Sequence, residues 1–292
     1  MTSQLLANAL ISASLVFVLA CGFGLIYRVT RCLHFAHGMS FTAGAYMTFL
    51  LHRLLGLPLI ASLAGAAAIT AGLGVAIEVS VYRPLRRRGA SSLSTFIASM
   101  GLYVALQNVV SICFGDDVRT LRSAAVREGV SAFGARITPP QMAILAVAAI
   151  TLVGLAAFLR WSAIGRAMRA TASDPELAVI SGIETGRVII WTFVIGSALA
   201  GMIGGLAALD TDMTPSMGLN VLMLCIVAVV VGGVGSVPGV ALGALLLATA
   251  QHFCAWGISA HWQDAVAFVI LLVFLVARPR GFLGRRARQA MV

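Results

Sequence analysis

The stretch richest in reactive groups is Arg31-Cys32-Leu33-His34-Phe35-Ala36-His37-Gly38, running on to Tyr46. It offers two imidazoles three residues apart, a thiol at Cys32, and guanidinium groups at Arg28 and Arg31. Such groups can bind a metal, or they can line or gate a path for a polar solute. A zinc centre takes four protein ligands, or three plus water. One His-x-x-His pair beside a single Cys falls short of that set, and no acidic residue stands near it. The plain structural alternative has His34 and His37 at a membrane interface, bonded to backbone carbonyls. Polar residues where an apolar run breaks are costly, so they usually have a role. On the pathway reading, His34, Phe35, His37, Gly38, Gly44 and Tyr46 line or gate the path.

A second break is Gly232-Gly233-Val234-Gly235-Ser236-Val237-Pro238-Gly239. No strand precedes it and its glycine spacing is wrong for G-x-G-x-x-G, so it is not a dinucleotide fingerprint. Gly233, Gly235 and Ser236 either contact a transported solute or serve close helix packing and a sharp turn. A weak echo links the two breaks: His37-Gly38 then Gly44-Ala45 resembles Gly235-Ser236 then Gly243-Ala244. Transporters are often built from such repeats, although chance matches are easy in a chain this rich in Gly and Ala.

A third stretch runs from Gly165 to Ile183. Asp174 or Ser173 is a good N-cap, Pro175 suits the first helical position, and Glu176 suits the first turn. Gly182 is a natural stop. The expected product is a helix of about two turns with Leu177 and Ile180, three apart, on one apolar face. It could plug into a cytoplasmic partner, or it could be an ordinary interfacial loop.

Other chemistry is excluded or unsupported. The chain has no lysine. It therefore has neither the Walker A lysine of a P-loop ATPase nor a Schiff-base lysine. No Ser/His/Asp grouping stands out. Acids inside apolar runs are few: Glu78, placed to pair with a neighbour such as Arg83, and Asp264. That scarcity argues against an ion-coupled carrier, although backbone carbonyls can also hold sodium.

The elements that must position these groups are membrane spans. Of 292 residues 60% are hydrophobic and only 10% are charged, and the mean hydropathy is +1.00. A soluble domain carries about 25% charged residues. At roughly 20 residues per span the length allows about eight or nine helices. Apolar runs fall near 5–27, 37–55, 58–81, 92–114, 141–159, 188–209, 219–231, 240–256 and 262–277, with a polar segment at 115–138. With the N-terminus outside and the spans alternating, fifteen of the twenty basic residues fall inside, the Arg83–Arg88 group and the tail from Arg278 to Arg288 among them. That imbalance selects this orientation. The net charge of +10 is then a membrane-topology signal rather than a nucleic-acid one. Five cysteines beside apolar runs do not make a disulfide frame. The first apolar run is too long for a signal h-region.

Four motifs in order carry a family resemblance over nearly the whole chain. They are Gly24-Leu25-Ile26-Tyr27 with Phe35-Ala36-His37-Gly38 and Gly44-Ala45-Tyr46; Gly165–Ala170 through Asp174 with Gly182-Ile183; Gly232–Gly239; and Arg278-Pro279-Arg280-Gly281-Phe282-Leu283-Gly284. They resemble the LIV-type, LivH-like permease subunits of bacterial ABC importers for branched-chain amino acids. The family usually has Asn where this chain has His34, which bears on the substrate or its pH response.

The resemblance implies an all-α polytopic membrane protein with broken or re-entrant segments, N-terminus outside and C-terminus cytoplasmic. It implies one permease domain over 1–292 and a cytoplasmic coupling segment near 160–187. It implies a multi-pass subunit of the bacterial inner membrane, with no catalytic residue and no cofactor of its own, ATP and Mg residing on partners. Those partners are a second permease, two cytoplasmic ATPases and a periplasmic binding protein, with the lipid bilayer around them and no nucleic acid. Arg166, Arg169, Asp174, Pro175, Glu176, Leu177, Ile180 and Gly182 would then form the ATPase-coupling surface. Branched-chain or other hydrophobic amino acids are the expected cargo, with urea or short amides as the alternative within the family. A solitary ion-coupled carrier is the alternative outside it.

Overall fold

The computed structural model describes residues 2–121, 129–132, 134–278 and 280–284. Arg122, Arg127, Glu128, Pro279 and the tail arginines Arg285, Arg286 and Arg288 lie outside the described residues. The chain is built almost wholly from helices. They are α1 (Thr2–Thr30), α2 (His37–Phe49, running on through a π turn at Leu50–Leu54), α3 (Leu59–Ile77, running through a π turn at Glu78–Tyr82 into α4, Arg83–Arg87) and α5 (Ser92–Phe114). Then come α6 (Pro139–Trp161), α7 (Ala163–Ser173), α8 (Pro175–Ile180), α9 (Thr185–Asp210), α10 (Met217–Gly232), α11 (Val237–Gly257) and α12 (Gln263–Ala277).

Seven of these rods are long and apolar enough to cross a membrane: α1, α3 with α4, α5, α6, α9, α11, and α12 with the short turn before it. The sequence suggests eight or nine crossings. The difference lies in α2, which with its π turn is long enough but not apolar enough, and α10, which is shorter. The sixteen residues of α10 span only about 24 Å at 1.5 Å per residue, less than the ~30 Å of a hydrocarbon core.

α1 is the central mast, with Val18, Leu19, Ala20 and Ile26 fully shielded. It packs against α6, α9, α10 and α11. α5 and α12 lie at the periphery with most of their apolar side chains outward. Outward Ile97, Val104, Ile112, Leu272 and Val276 are normal where the solvent is lipid. Between helices the contacts are made by small residues, which let backbones approach closely. A Cβ on Gly22 would stand 2.6 Å from the carbonyl oxygen of Gly196 in α9. A Cβ on Gly44 would overlap the backbone of Gly201 in the same helix.

Two local features add to the sequence reading. The polar segment contains a hairpin, β1 (Val130–Ala132) against antiparallel β2 (Ala135–Ile137). It is pinned to the start of α1, where the Arg136 N–H donates to Gln4 Oε1 at 2.8 Å and Ser3 Oγ donates to the Gly134 carbonyl at 3.0 Å. Glu78 pairs with Arg86 rather than Arg83. Residues eight apart are about 80° out of phase on an α-helix. The intervening π turn, with its wider i→i+5 rings, brings them onto one face.

Candidate functional site

The chain reverses at Arg31, which has φ +56 and is the only positive-φ residue other than glycine among the described residues. From there Cys32–Ala36 returns into the bundle instead of leaving it, so that Cys32, His34 and Ala36 are buried. The backbone then enters α2 with His37 beside the middle of α1. The His37 Nε2–H donates to the Leu19 carbonyl at 3.2 Å. Leu19 lies eleven residues before the end of α1, about 16 Å up the helix axis. α2 is therefore a half-helix that starts at mid-bundle and runs to the far end, where Tyr46 meets Phe114 at 4.9 Å between ring centroids.

A buried hydrogen-bond chain holds the returning segment. The Phe35 N–H donates to Ser99 Oγ at 2.6 Å, and Tyr82 Oη donates to the same oxygen at 3.0 Å. His34 Nδ1 lies 2.7 Å from Tyr82 Oη. With the tyrosine proton on Ser99, His34 must donate from Nδ1, which assigns the tautomer and leaves Nε2 as a bare acceptor. Aromatic rings close around it: His34 stands edge-on to Tyr82 at 5.3 Å and to Phe193 at 5.2 Å, with the His37 ring at 5.7 Å. Tyr82, Ser99 and Phe193 are absent from the sequence reading. The only signal available was their type, a polar or aromatic residue inside a long apolar run.

Hydrogen-bonding capacity is left over here. Among the described residues seven buried side-chain polar atoms make no hydrogen bond, and four of them lie on one stretch: His34 Nε2, His37 Nδ1, Ser40 Oγ and Tyr46 Oη. Native interiors satisfy nearly all such atoms, so a cluster of exceptions marks a place where something else is bound or moves.

The mirror of this break is made by α10. After α9 ends at Asp210 the chain turns back into the bundle. Met213 bridges Arg119 through paired backbone bonds of 3.0 and 2.8 Å, and Tyr103 Oη, at the middle of α5, reaches the Ser216 carbonyl at 3.5 Å. α10 therefore starts at mid-bundle and runs to the arginine-rich end. The two half-helices meet at their first turns: a Cβ on Gly38 would stand 2.8 Å from the Gly218 carbonyl oxygen. The sequence echo pairs α2 with α11, whereas the structure sets the start of α2 against the start of α10. α11 begins at the end of the bundle, after Ser236.

Gly233, Gly235 and Ser236 are not brought to the His34–Tyr46 stretch. They form the α10–α11 turn at the arginine-rich end. Gly233 terminates α10 at φ +97 and Gly235 follows at φ +89. Ser236 caps α11 by accepting from the Gly239 N–H at 3.1 Å. The C-terminal motif seats here: the N–H groups of Phe282 and Leu283 donate to the Val231 and Gly232 carbonyls at 2.8 and 3.1 Å. Those carbonyls belong to the last turn of α10 and lack helical partners. Arg28 donates to the Gly235 carbonyl at 2.8 Å, so the first, third and fourth motifs share one corner.

The third stretch folds as its residues suggest. The Asp174 carboxylate accepts from the N–H groups of Glu176 and Leu177, both at 3.0 Å, Pro175 opens α8, and Gly182 ends it at φ +80. α7 is anchored through buried Met168 and Ala172, and Arg31 donates to the Ala172 carbonyl at 3.1 Å. Arg166 and Arg169 tie α7 back to the carbonyls of Trp161 and Leu159. α8 buries only Ala178 and leaves Leu177 57% and Ile180 82% exposed. Packing within the chain gives no reason for those two side chains.

An apolar helical bundle with two half-helices abutting at its centre is the frame of a membrane permease. The sequence profile of the family described as "Branched-chain amino acid transport system / permease component" matches residues 5–275. The permease protein LivH of the high-affinity branched-chain amino acid transport system of Escherichia coli K12 is 33% identical over 97% of this chain and 95% of its own. BraD of Pseudomonas aeruginosa, the permease protein of the same kind of system, is also 33% identical over 97% and 95%. The chain belongs to this family of branched-chain amino acid permeases and is a multi-pass membrane protein of the ABC transporter class. The fold is also that of a solved structure, PsaBC from Streptococcus pneumoniae in complex with Fab, with a TM-score of 0.54 at 15% identity over 95% of this chain and 93% of that one.

Proposed function

We propose that this chain is the permease subunit of an ATP-driven importer that moves branched-chain or other hydrophobic amino acids across the bacterial inner membrane. The observation that carries the reading is α8, a capped six-residue helix that presents Leu177 and Ile180 outward. A chain without lysine hydrolyses no ATP at a P-loop. Two cytoplasmic ATPases bind the nucleotide and Mg, and each importer receives their closure through α7 and α8 of its permeases. A second permease and a periplasmic binding protein complete the assembly. The N-terminus is outside and the arginine-rich end of the bundle is cytoplasmic, an orientation supported by the distribution of arginines.

Within this reading, His34–Tyr46 gates the substrate path. A hydrophobic amino acid is a zwitterion with an apolar side chain. The first turns of α2 and α10 carry the positive ends of two helix dipoles, which favour a carboxylate. The unprotonated nitrogens His34 Nε2 and His37 Nδ1 are acceptors suited to an ammonium group. In the state described these groups are sealed, so passage requires the Arg31–Ala36 latch to move. Gly233, Gly235 and Ser236 hold the cytoplasmic rim of the path.

The test is a gentle detergent pull-down of the tagged chain from its native membrane, followed by mass spectrometry. Recovery of two P-loop ATPases and a second permease is the expected result. Recovery of the chain alone in several detergents refutes the reading.

A further inference from the structure

The two half-helices differ in how they are covered. From His37 to Thr42 every residue of α2 is buried. α10 packs against α1, α2, α11 and α12 but keeps one side open, where Ser216 and Asn220 are exposed. These two residues are four apart and share a helix face. Gly218, between them, abuts Gly38 and so fixes their depth at mid-bundle. α5 stands beside this open side, because Tyr103 Oη at its middle donates to the Ser216 carbonyl at 3.5 Å. One turn beyond Tyr103, toward the arginine-poor end, the same face of α5 carries half-buried Gln107. The side-chain amides of Asn220 and Gln107 have no hydrogen-bond partner among the described residues. No side chain caps α10, so the start of the helix adds backbone donors to the strip.

Depth makes this arrangement informative. An amide turned toward hydrocarbon loses its water and gains no partner. Polar groups and helix starts persist at membrane depth where they line a water-filled cavity. Elsewhere the outward faces show what lipid selects: Ile150 and Val153 near the middle of α6 and Leu272 in α12 are exposed and apolar. Toward the arginine-rich end the polar strip meets an aromatic pair. Phe96, two turns before Tyr103 on α5, stands 5.2 Å from Phe35 between ring centroids, with the planes at 88°. Both residues are half-buried, and Phe35 belongs to the returning segment that Ser99 holds.

We propose that the transported solute passes along this strip, between α5 and the open side of α10, with Ser216 and Asn220 as its polar contacts and the Phe35–Phe96 pair as the barrier beyond them. The path rests on the importer reading for its second wall, which the partner permease supplies. The chemistry of the strip suits a zwitterion. The Asn220 amide donates to a carboxylate through its nitrogen and accepts from an ammonium through its oxygen. The barrier is tied to the latch: Phe35 moves with the Arg31–Ala36 segment, so release of that segment parts the two rings.

The test is cysteine labelling in proteoliposomes that hold the affinity-purified chain with its co-purifying subunits, followed by leucine uptake. The background is Cys113→Ala, which removes the exposed thiol. The probe is the water-soluble cation trimethylammonioethyl methanethiosulfonate. The control is Ile150→Cys, at a site 70% exposed in the middle of α6. Asn220→Cys and Ser216→Cys should each react at least about tenfold faster than the control, because the probe attacks the thiolate and hydrocarbon disfavours that form. Treatment should also stop uptake by Asn220→Cys and leave uptake by Ile150→Cys unchanged. Labelling of both strip variants no faster than the control means that lipid or a partner helix covers the strip, and it overturns the proposal. Fast labelling with uptake intact makes the strip wet but off the path, and it overturns the proposal as well. The labelling arm needs neither ATP nor transport. Uptake that runs without any ATPase would therefore sink the importer reading while leaving Asn220→Cys fast.

Discussion

Ser99→Ala is the most informative single change, because one hydroxyl oxygen latches the segment that leads into α2. The residue is fully buried. Its Oγ accepts from the Phe35 N–H at 2.6 Å and from Tyr82 Oη at 3.0 Å. A third donor is the Ala36 N–H at 3.4 Å, and the three fare differently once the oxygen is gone. Tyr82 Oη can turn its proton to His34 Nδ1, already 2.7 Å away, if the imidazole changes tautomer. The Phe35 N–H keeps the Leu33 carbonyl at 3.2 Å, but the Ala36 N–H, 3.4 Å from the same oxygen, has no such alternative acceptor and is left unsatisfied in a closed interior. An orphaned buried donor costs about 1–3 kcal/mol, a factor of about 5–150 in the opening equilibrium of the latch. The segment carries its own reporter, since Cys32 is buried and unpaired. In a Cys113→Ala background, which removes the exposed thiol, Ser99→Ala should speed maleimide labelling of Cys32 by that factor. Amino-acid uptake should fall with it. The control Ser94→Ala, on the exposed first turn of α5, should change neither. Wild-type labelling of Cys32 in a folded Ser99→Ala protein would refute the latch.

Three further outcomes follow from the same structure. Asp174→Ala with Gly182→Leu removes the cap of α8 and places a side chain at φ +80, which costs about 1 kcal/mol for the cap and 1–2 for the backbone; uptake by the assembled importer should fall at least tenfold while ATP hydrolysis persists and the melting temperature stays within a few degrees. Gly44→Ala drives a methyl group into the backbone of Gly201, which no side-chain rotation relieves; it should lower the thermal midpoint in a fluorescence-detected size-exclusion assay by an amount equivalent to about 1–3 kcal/mol, whereas Gly72→Ala, with open space around it, should not. Gly281→Ala meets a φ of +69 and stands 2.5 Å from the Gly233 nitrogen; it should detach the C-terminal segment from α10 and show as faster proteolytic loss of the C-terminus than in wild type.

What was legible in the sequence was what is local or cumulative. The cap at Asp174 and the stop at Gly182 depend on a few adjacent residues, and both are present. The apolar rods follow from runs of composition, and their all-helical nature was readable throughout. Depth was not readable, because a hydropathy window averages over a segment without recording where it begins. α2 therefore looked like an ordinary span, and the run of α10 fitted either a span or a broken or re-entrant segment; their first turns meet inside the bundle. The partners of the returning segment were hidden by distance along the chain: Ser99 lies 64 residues from Phe35, and Tyr82 lies 48 from His34. That Glu78 pairs with one of the arginines just after it was readable, but which one was not, because no sequence rule announced the π turn that swings Arg86 onto its face. Gly233 and Gly281 were recognised as motif residues, but only the fold shows that they pack on each other.

The central claim is that transport through this chain draws on ATP hydrolysed by other subunits. The direct measurement is uptake of radiolabelled leucine into proteoliposomes that hold the affinity-purified chain with its co-purifying subunits, with its binding protein outside and ATP inside or absent. The account predicts uptake only with enclosed ATP, lost when the Walker lysines of the ATPases are replaced and indifferent to imposed proton or sodium gradients. Gradient-driven uptake by vesicles containing this chain alone, with no ATP, would contradict it.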